Sequence, residues 1–112
     1  MRPTELPRGG VEALRDEEVA DWLEARPRAA LLFWDESDET SRRQRARVEV
    51  VAAAVDVSLG ALDIRTDALV AQALGVTSVP ALVVFRGGEV VERLMGAAPE
   101  PVLKDALSGR DL

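Results

Sequence analysis

Residues 75–90 read GVTSVPALVVFRGGEV, a strand, a tight turn and the start of a second strand in sixteen residues. Ala81 to Phe85 is an unbroken apolar run of strand length. Such runs fit a strand buried on both faces, in a sheet covered by helices. Arg86-Gly-Gly-Glu89 follows as a hairpin turn, because glycine takes the positive φ that tight turns need. Val90 to Met95 therefore returns antiparallel, and Gly96 ends it.

Outward from this hairpin, the same logic places the other elements. Ala29 to Trp34 is a second continuous apolar run and reads as another buried strand. A helix is predicted from about Asp38 to Val55. Asp38 is a preferred N-cap type, Ser37 is an alternative, and Glu39 lies in the first turn where the helix dipole favours it. The basic first half of this helix, Arg42 to Arg47, is expected to project from the body; the apolar second half, Val48 to Val55, is expected to pack on the sheet. Asp38–Arg42 and Glu39–Arg43 have i, i+4 spacing. Val11 to Leu14 and Val57 to Ile64 alternate as strands do. Asp16 is expected to cap a helix carrying Val19, Trp22 and Leu23 on one face, which Pro27 stops. Thr66 or Asp67 is expected to cap a short helix with Leu69, Val70, Ala73 and Leu74 inward, closed by Gly75. Glu100 to Leu107 forms a last helix with Val102, Leu103, Ala106 and Leu107 inward. The order β-α-β-α-β-α-β-β-α is α/β. It gives a three-layer sandwich, a mixed central sheet flanked by helices. Residues 1–10 read as a loose N-terminal arm and 11–112 as one domain.

Composition narrows the chemistry. The chain of 112 residues has a net charge of −6, no cysteine, no histidine and no tyrosine. Disulfides, thiolate nucleophiles and cysteine-based metal sites are excluded, and so is the usual base near neutral pH. An acidic chain gains nothing from counterion release on nucleic acid, so no nucleic-acid partner is expected. Apolar runs of about six residues are far short of a membrane span, so no membrane partner is expected either. No secretory signal is recognisable at the N-terminus, which points to a cytoplasmic protein.

Three further pieces, "LLFWDESDETSRRQ" (31–44), the Val79-Pro80 and Phe85-Arg-Gly-Gly88 pairings within 75–90, and "LMGA" (94–97), together resemble thioredoxin over residues 11–108. The family has a buried strand ending in Phe-Trp, matched by Phe33-Trp34. It has a hydrophobic-Pro pair with a cis bond, matched by Val79-Pro80. Its Phe-x-x-Gly hairpin and its Val-Gly-Ala are matched by Phe85–Gly88 and Met95-Gly-Ala97. Laid on that pattern, the Cys-x-x-Cys positions fall on Asp38 and Ser41. The family's buried Asp falls on Leu32, its nearby Lys on Ala61 and its helix-kinking Pro on Ala46. Thiol–disulfide exchange needs a thiolate, so the resemblance implies a redox-inactive member and not a thiol–disulfide oxidoreductase.

The resemblance also implies a groove that needs no sulfur. Its walls would be Trp34, the loop with Asp35, Ser37, Asp38 and Ser41, the Val79-Pro80 pair, and Gly96. In the family, the backbone at the Val79 position pairs with an extended bound peptide, a form of β-augmentation. The expectation is a non-enzymatic domain without cofactor or resident metal that binds a protein or peptide partner, as a chaperone, assembly factor or complex subunit. Accessory proteins of hydrogenase maturation are similar in size and in lacking the motif. Two alternatives come from other classes. One is a carboxylate-based metal-binding or hydrolytic site at residues 35–39, formed by Asp35, Glu36, Asp38 and Glu39. The other is a self-associating module using a sheet edge or the arginine row at 42, 43, 45 and 47.

Overall fold

A computed structural model describes residues 10–109 of the chain. The expected arm over residues 1–10 lies, apart from Gly10, outside the described residues. Five strands and four helices follow one another: β1 (Val11–Ala13), α1 (Val19–Glu24), β2 (Arg28–Trp34), α2 (Glu39–Ala54), β3 (Ser58–Asp63), α3 (Leu69–Ala73), β4 (Ala81–Arg86), β5 (Glu89–Met95) and α4 (Glu100–Ser108). The strand order is β1-β3-β2-β4-β5. β1 and β2 run parallel to β3, while β4 is antiparallel to β2 and to β5. The crossovers through α1 and α2 set the parallel part, and the glycine hairpin sets the antiparallel part.

The two apolar runs occupy the middle of the sheet and are buried on both faces. Ala30 and Leu32 of β2 face a core completed by Val48, Val51 and Ala52 of α2 and by Leu103, Ala106 and Leu107 of α4. Ala29, Leu31 and Phe33 face a second core with Val19 and Trp22 of α1 and Ala71 of α3. Trp22, expected as core, is buried and donates its Nε1 proton to Glu12 at 2.9 Å. Gly60 in β3 is there for space: a Cβ on it would lie 2.5 Å from Leu14 Cδ1 and 3.2 Å from the Trp22 ring.

Several expectations are corrected. Asp16 does not cap its own segment; a 3-10 turn at Asp16–Glu18 precedes α1, and the Asp16 carboxylate reaches α3 instead. Neither Thr66 nor Asp67 caps α3, whose N-cap position is Ala68. Around α3, Val70 and Leu74 pack half-buried against the core as expected, but Ala71 is the residue that is buried, while Leu69 is 69% exposed and Ala73 is exposed; a five-residue helix turns only one narrow edge to the sheet. In α4, Leu103, Ala106 and Leu107 are buried as expected, but Val102 is 43% exposed because it sits on the flank of that stripe. The first half of α2 does not project either: Ser41 and Gln44 are buried, and Arg45 lies over the Trp34 ring, 4.6 Å from its centroid. The loop after β5 also approaches this half-helix, since Arg47 donates to the Ala98 carbonyl at 3.2 Å.

Candidate functional site

The loop between β2 and α2 explains its own acidity. Asp38 is the N-cap, its Oδ2 accepting from the Ser41 N–H at 2.9 Å. That satisfies one of the orphan donors at the helix start, and the charge suits the dipole. Ser37 does not cap the helix; it donates both its N–H (2.8 Å) and its hydroxyl (2.6 Å) to Asp35 Oδ1, tightening the turn. Of the two expected i, i+4 pairs, Glu39–Arg43 is formed at 2.9 Å. Arg42 instead donates to the Glu36 carbonyl at 2.9 Å.

Asp35, Glu36 and Asp63 converge on the guanidinium of Arg65. The ion-pair distances are 3.4, 3.3 and 2.9 Å. Arg65 thus fastens the β2–α2 loop to the end of β3, beside the backbone bond from Ile64 N–H to the Trp34 carbonyl. The Asp63 carboxyl is held below its ordinary value chiefly by the hydrogen bond from the Arg65 side chain. The Asp35 carboxyl is also lowered, first by the Ser37 hydroxyl and then by the Ser37 N–H, with Arg65 adding a smaller push. The four acids singled out at 35–39 therefore do not gather around one point: two share Arg65, one caps α2 and one pairs with Arg43. No cluster of three carboxylates suited to a metal ion occurs among the described residues. Sequence reasoning missed Arg65, because nothing in its local pattern ties it to a loop so far upstream.

The groove residues come together in part. The Val79-Pro80 bond is cis. Gly96 donates its N–H to the Pro80 carbonyl at 2.7 Å and has φ +87°, with open space where a Cβ would stand. Val79 and Gly96 are half-buried, as are Trp34 and Asp35, while Ser37 and Asp38 are exposed. Ser41 and Pro80 are corrected as contact residues: both are buried, Ser41 completely, so they back the surface and do not line it. Ser41 faces inward because it lies on the same helix stripe as Val48 and Ala52. Its Oγ has no hydrogen-bond partner among the described residues. Trp34 packs against the α2–α4 core, with Arg45 stacked on it. Beside Val79 opens a cavity of about 340 Å³, lined by Ile64, Ala68, Ala71 and Gln72 on one side and by Val76 to Val79 on the other. Among the described residues, neither the N–H nor the C=O of Val79 has a hydrogen-bond partner.

This architecture matches solved structures closely. A point mutant of thioredoxin from Halobacterium salinarum superposes with a TM-score of 0.83, at 25% identity over 91% of each chain. The chain has the thioredoxin-like fold. Spinach chloroplast thioredoxin f superposes at 0.76, with 20% identity over 86% of this chain and 83% of that one. A chain from a structure on the thiol-resolving mechanism of yeast mitochondrial 1-Cys peroxiredoxin via the glutathione and thioredoxin systems gives 0.74, with 18% identity over 85% and 92%. No protein-family model matches the sequence, and no curated protein matches it. Within the thioredoxin-like fold this chain is cysteine-less. Asp38 and Ser41 stand where the resemblance places the thiol pair, so the chain has no thiol of its own with which to exchange disulfides. Leu32 and Ala61, standing for the family's Asp and Lys, are adjacent in register on β2 and β3 and are both buried. The replaced pair is thus one apolar patch of the core. No helix among the described residues is long and apolar enough to cross a membrane.

Proposed function

We propose that this chain is a non-catalytic thioredoxin-like domain that binds an extended segment of a protein or peptide partner along the Val79 groove. The observation that carries the reading is the Val79 backbone. Its donor and acceptor are unused among the described residues, and the 340 Å³ apolar cavity opens beside it. A strand added there would gain main-chain hydrogen bonds, with a side chain seated against Ile64, Ala68 and Val76. Gly96, bonded to the Pro80 carbonyl, has open space where a side chain would stand. On this reading Trp34 and the 35–38 loop, which Arg65 and the Asp38 cap hold in place, would supply a further wall. Such a surface suits a chaperone, an assembly factor or a subunit of a complex.

The alternatives have less support. The carboxylates of the 35–39 segment are engaged by Arg65, Arg43 and the helix start, and do not face one another as an acid–base pair for hydrolysis would. The free edge of β5 carries Glu89, Glu92 and Arg93 and a register shift opposite Val84 and Phe85. Charge and bulges are features that protect an edge from pairing. The arginine row is spent on Glu39, on the Glu36 and Ala98 carbonyls and on Trp34.

The test is selection of extended peptides from a displayed random library on the immobilised domain, followed by amide chemical-shift mapping of a selected peptide. Shifts confined to the cavity lining (Ile64, Ala68, Ala71 and Val76 to Val79), to Gly96 and to the Trp34–Asp38 stretch are expected. Failure to select any peptide, or shifts clustered elsewhere, would overturn the reading.

A further inference from the structure

We infer that α3 is a separately opening wall of the groove, held shut by charged side chains from two distant parts of the fold. α3 has five residues, far below the length at which a helix is stable by itself in water. Ala71 is its one buried residue; Val70 and the following Leu74 pack half-buried against the core, and Leu69 is largely in solvent. No side chain of its own segment caps it. Its N-terminal donors are met from across the molecule: Asp16 Oδ2 accepts from the Leu69 N–H at 3.1 Å and Asp16 Oδ1 from the Val70 N–H at 3.0 Å. At the other end, the Arg93 Nε of β5 donates to the Leu74 carbonyl at 3.1 Å. An anion thus sits at the N-terminus and a cation at the C-terminus, the arrangement that the helix dipole favours.

Asp16 is itself held in place. Its N–H donates to Asp67 Oδ1 at 3.0 Å, and Asp67 also accepts from the Thr66 hydroxyl at 2.9 Å and from Arg15 Nε at 3.3 Å. Two segments far apart in the chain therefore cap each other reciprocally. The closed position has a consequence for the groove, since Ala68, Ala71 and Gln72 form one side of the 340 Å³ cavity beside Val79. When α3 swings away, that cavity widens without disturbing the sheet, whose central strands are buried on both faces. Segments with few buried apolar contacts and borrowed hydrogen bonds are the ones that open below the global unfolding free energy. The latch stands independently of peptide binding; only its use in admitting a partner rests on the function proposed above.

Native-state amide hydrogen exchange tests the latch on the full chain. Asp16→Ala removes both acceptors. Exchange at Val70 to Gly75 is expected to speed up by about tenfold, as for loss of a good helix cap, while Leu31, Leu82 and Val83 keep their protection. Asp16→Asn keeps one of the two acceptors and loses the charge, and is expected to recover only part of the protection. Arg93→Ala loosens the other end and is expected to accelerate the same amides, which keeps the test decisive if Asp16→Ala does not fold. Unchanged α3 exchange in every folded variant, or acceleration of α3 and sheet amides together, would overturn the inference. Side-chain shifts at Ile64 and Val79 in Asp16→Ala, smaller in Asp16→Asn, would tie the opening to the cavity. A peptide from the selection above that binds equally to wild type and Asp16→Ala would leave the groove reading intact and remove α3 from its control.

Discussion

Replacing Ser41 by Ala is expected to stabilise the protein. Ser41 is completely buried at the third position of α2, and its Oγ has no hydrogen-bond partner among the described residues. A buried hydroxyl without a partner costs about 1–3 kcal/mol of lost hydration. Alanine also exceeds serine in helix propensity by roughly 0.5 kcal/mol. Loss of the packing of one oxygen offsets part of this, so the net gain should be about 1–2 kcal/mol. The capping bond from the Ser41 N–H to Asp38 belongs to the backbone and survives the change. Urea unfolding followed by tryptophan fluorescence reads the effect, because the slope for a chain of this size is about 1–2 kcal/mol per molar urea. The midpoint should rise by about 1 M with unchanged slope. Thr40→Ala, on the exposed side of the same turn, serves as the control and should gain only the propensity increment, about 0.5 kcal/mol. A Ser41→Ala variant destabilised by about 1 kcal/mol or more would refute the reasoning, because the hydroxyl would then be making a bond worth more than its burial costs.

Other outcomes follow from the same geometry. Asp38→Cys with Ser41→Cys should give at most feeble insulin reduction, at least about a hundredfold below an ordinary thioredoxin, because buried Leu32 supplies no proton acceptor and a positioned acid or base is commonly worth that much. Leu107→Ala should cost about 2–5 kcal/mol in urea unfolding, since Leu107 is completely buried where α4 meets the core. Gly60→Ala should cost about 1–3 kcal/mol by forcing Leu14 and the Trp22 ring aside. The Asp67 carboxyl is lowered, first by the Asp16 N–H against the opposing effect of burial, with Thr66 and Arg15 adding to it; Asp63 and Asp35 are lowered as well. Their contribution to stability is therefore complete above the unfolded-state carboxylate value and is lost as pH falls through the lower folded values. Asp67→Asn should flatten the acid limb of a stability profile measured between about pH 5 and pH 2, and an unchanged limb would contradict this assignment.

Much of the fold was legible because its signals are local or periodic. Ala29–Trp34 and Ala81–Phe85 are unbroken apolar runs, and both are central strands buried on two faces. The glycine hairpin between β4 and β5 and the Asp38 cap of α2 also came from local chemistry. What escaped the sequence is what depends on pairs distant along the chain. Asp16 has the residue type of a cap and is one, but for a helix in a distant part of the chain. Arg65 neutralises acids from another loop, which no spacing rule reveals. The inward stripe of α3 is legible only at Val70 and Leu74, and not at Leu69 and Ala73, because five residues are too few for a helical period to declare itself. At the site, the groove followed from resemblance at Val79-Pro80 and Gly96. Ser41, by contrast, was assigned to the surface although its helix stripe, shared with Val48 and Ala52, turns it inward.

On the function proposed above, the domain lends the Val79 backbone to a partner strand, and amide exchange at Val79, measured with and without a saturating selected peptide, reads this. Strong protection of the Val79 amide on binding is expected, since its N–H gains an acceptor there. Binding that leaves this amide exchanging as fast as in the free protein would contradict the claim.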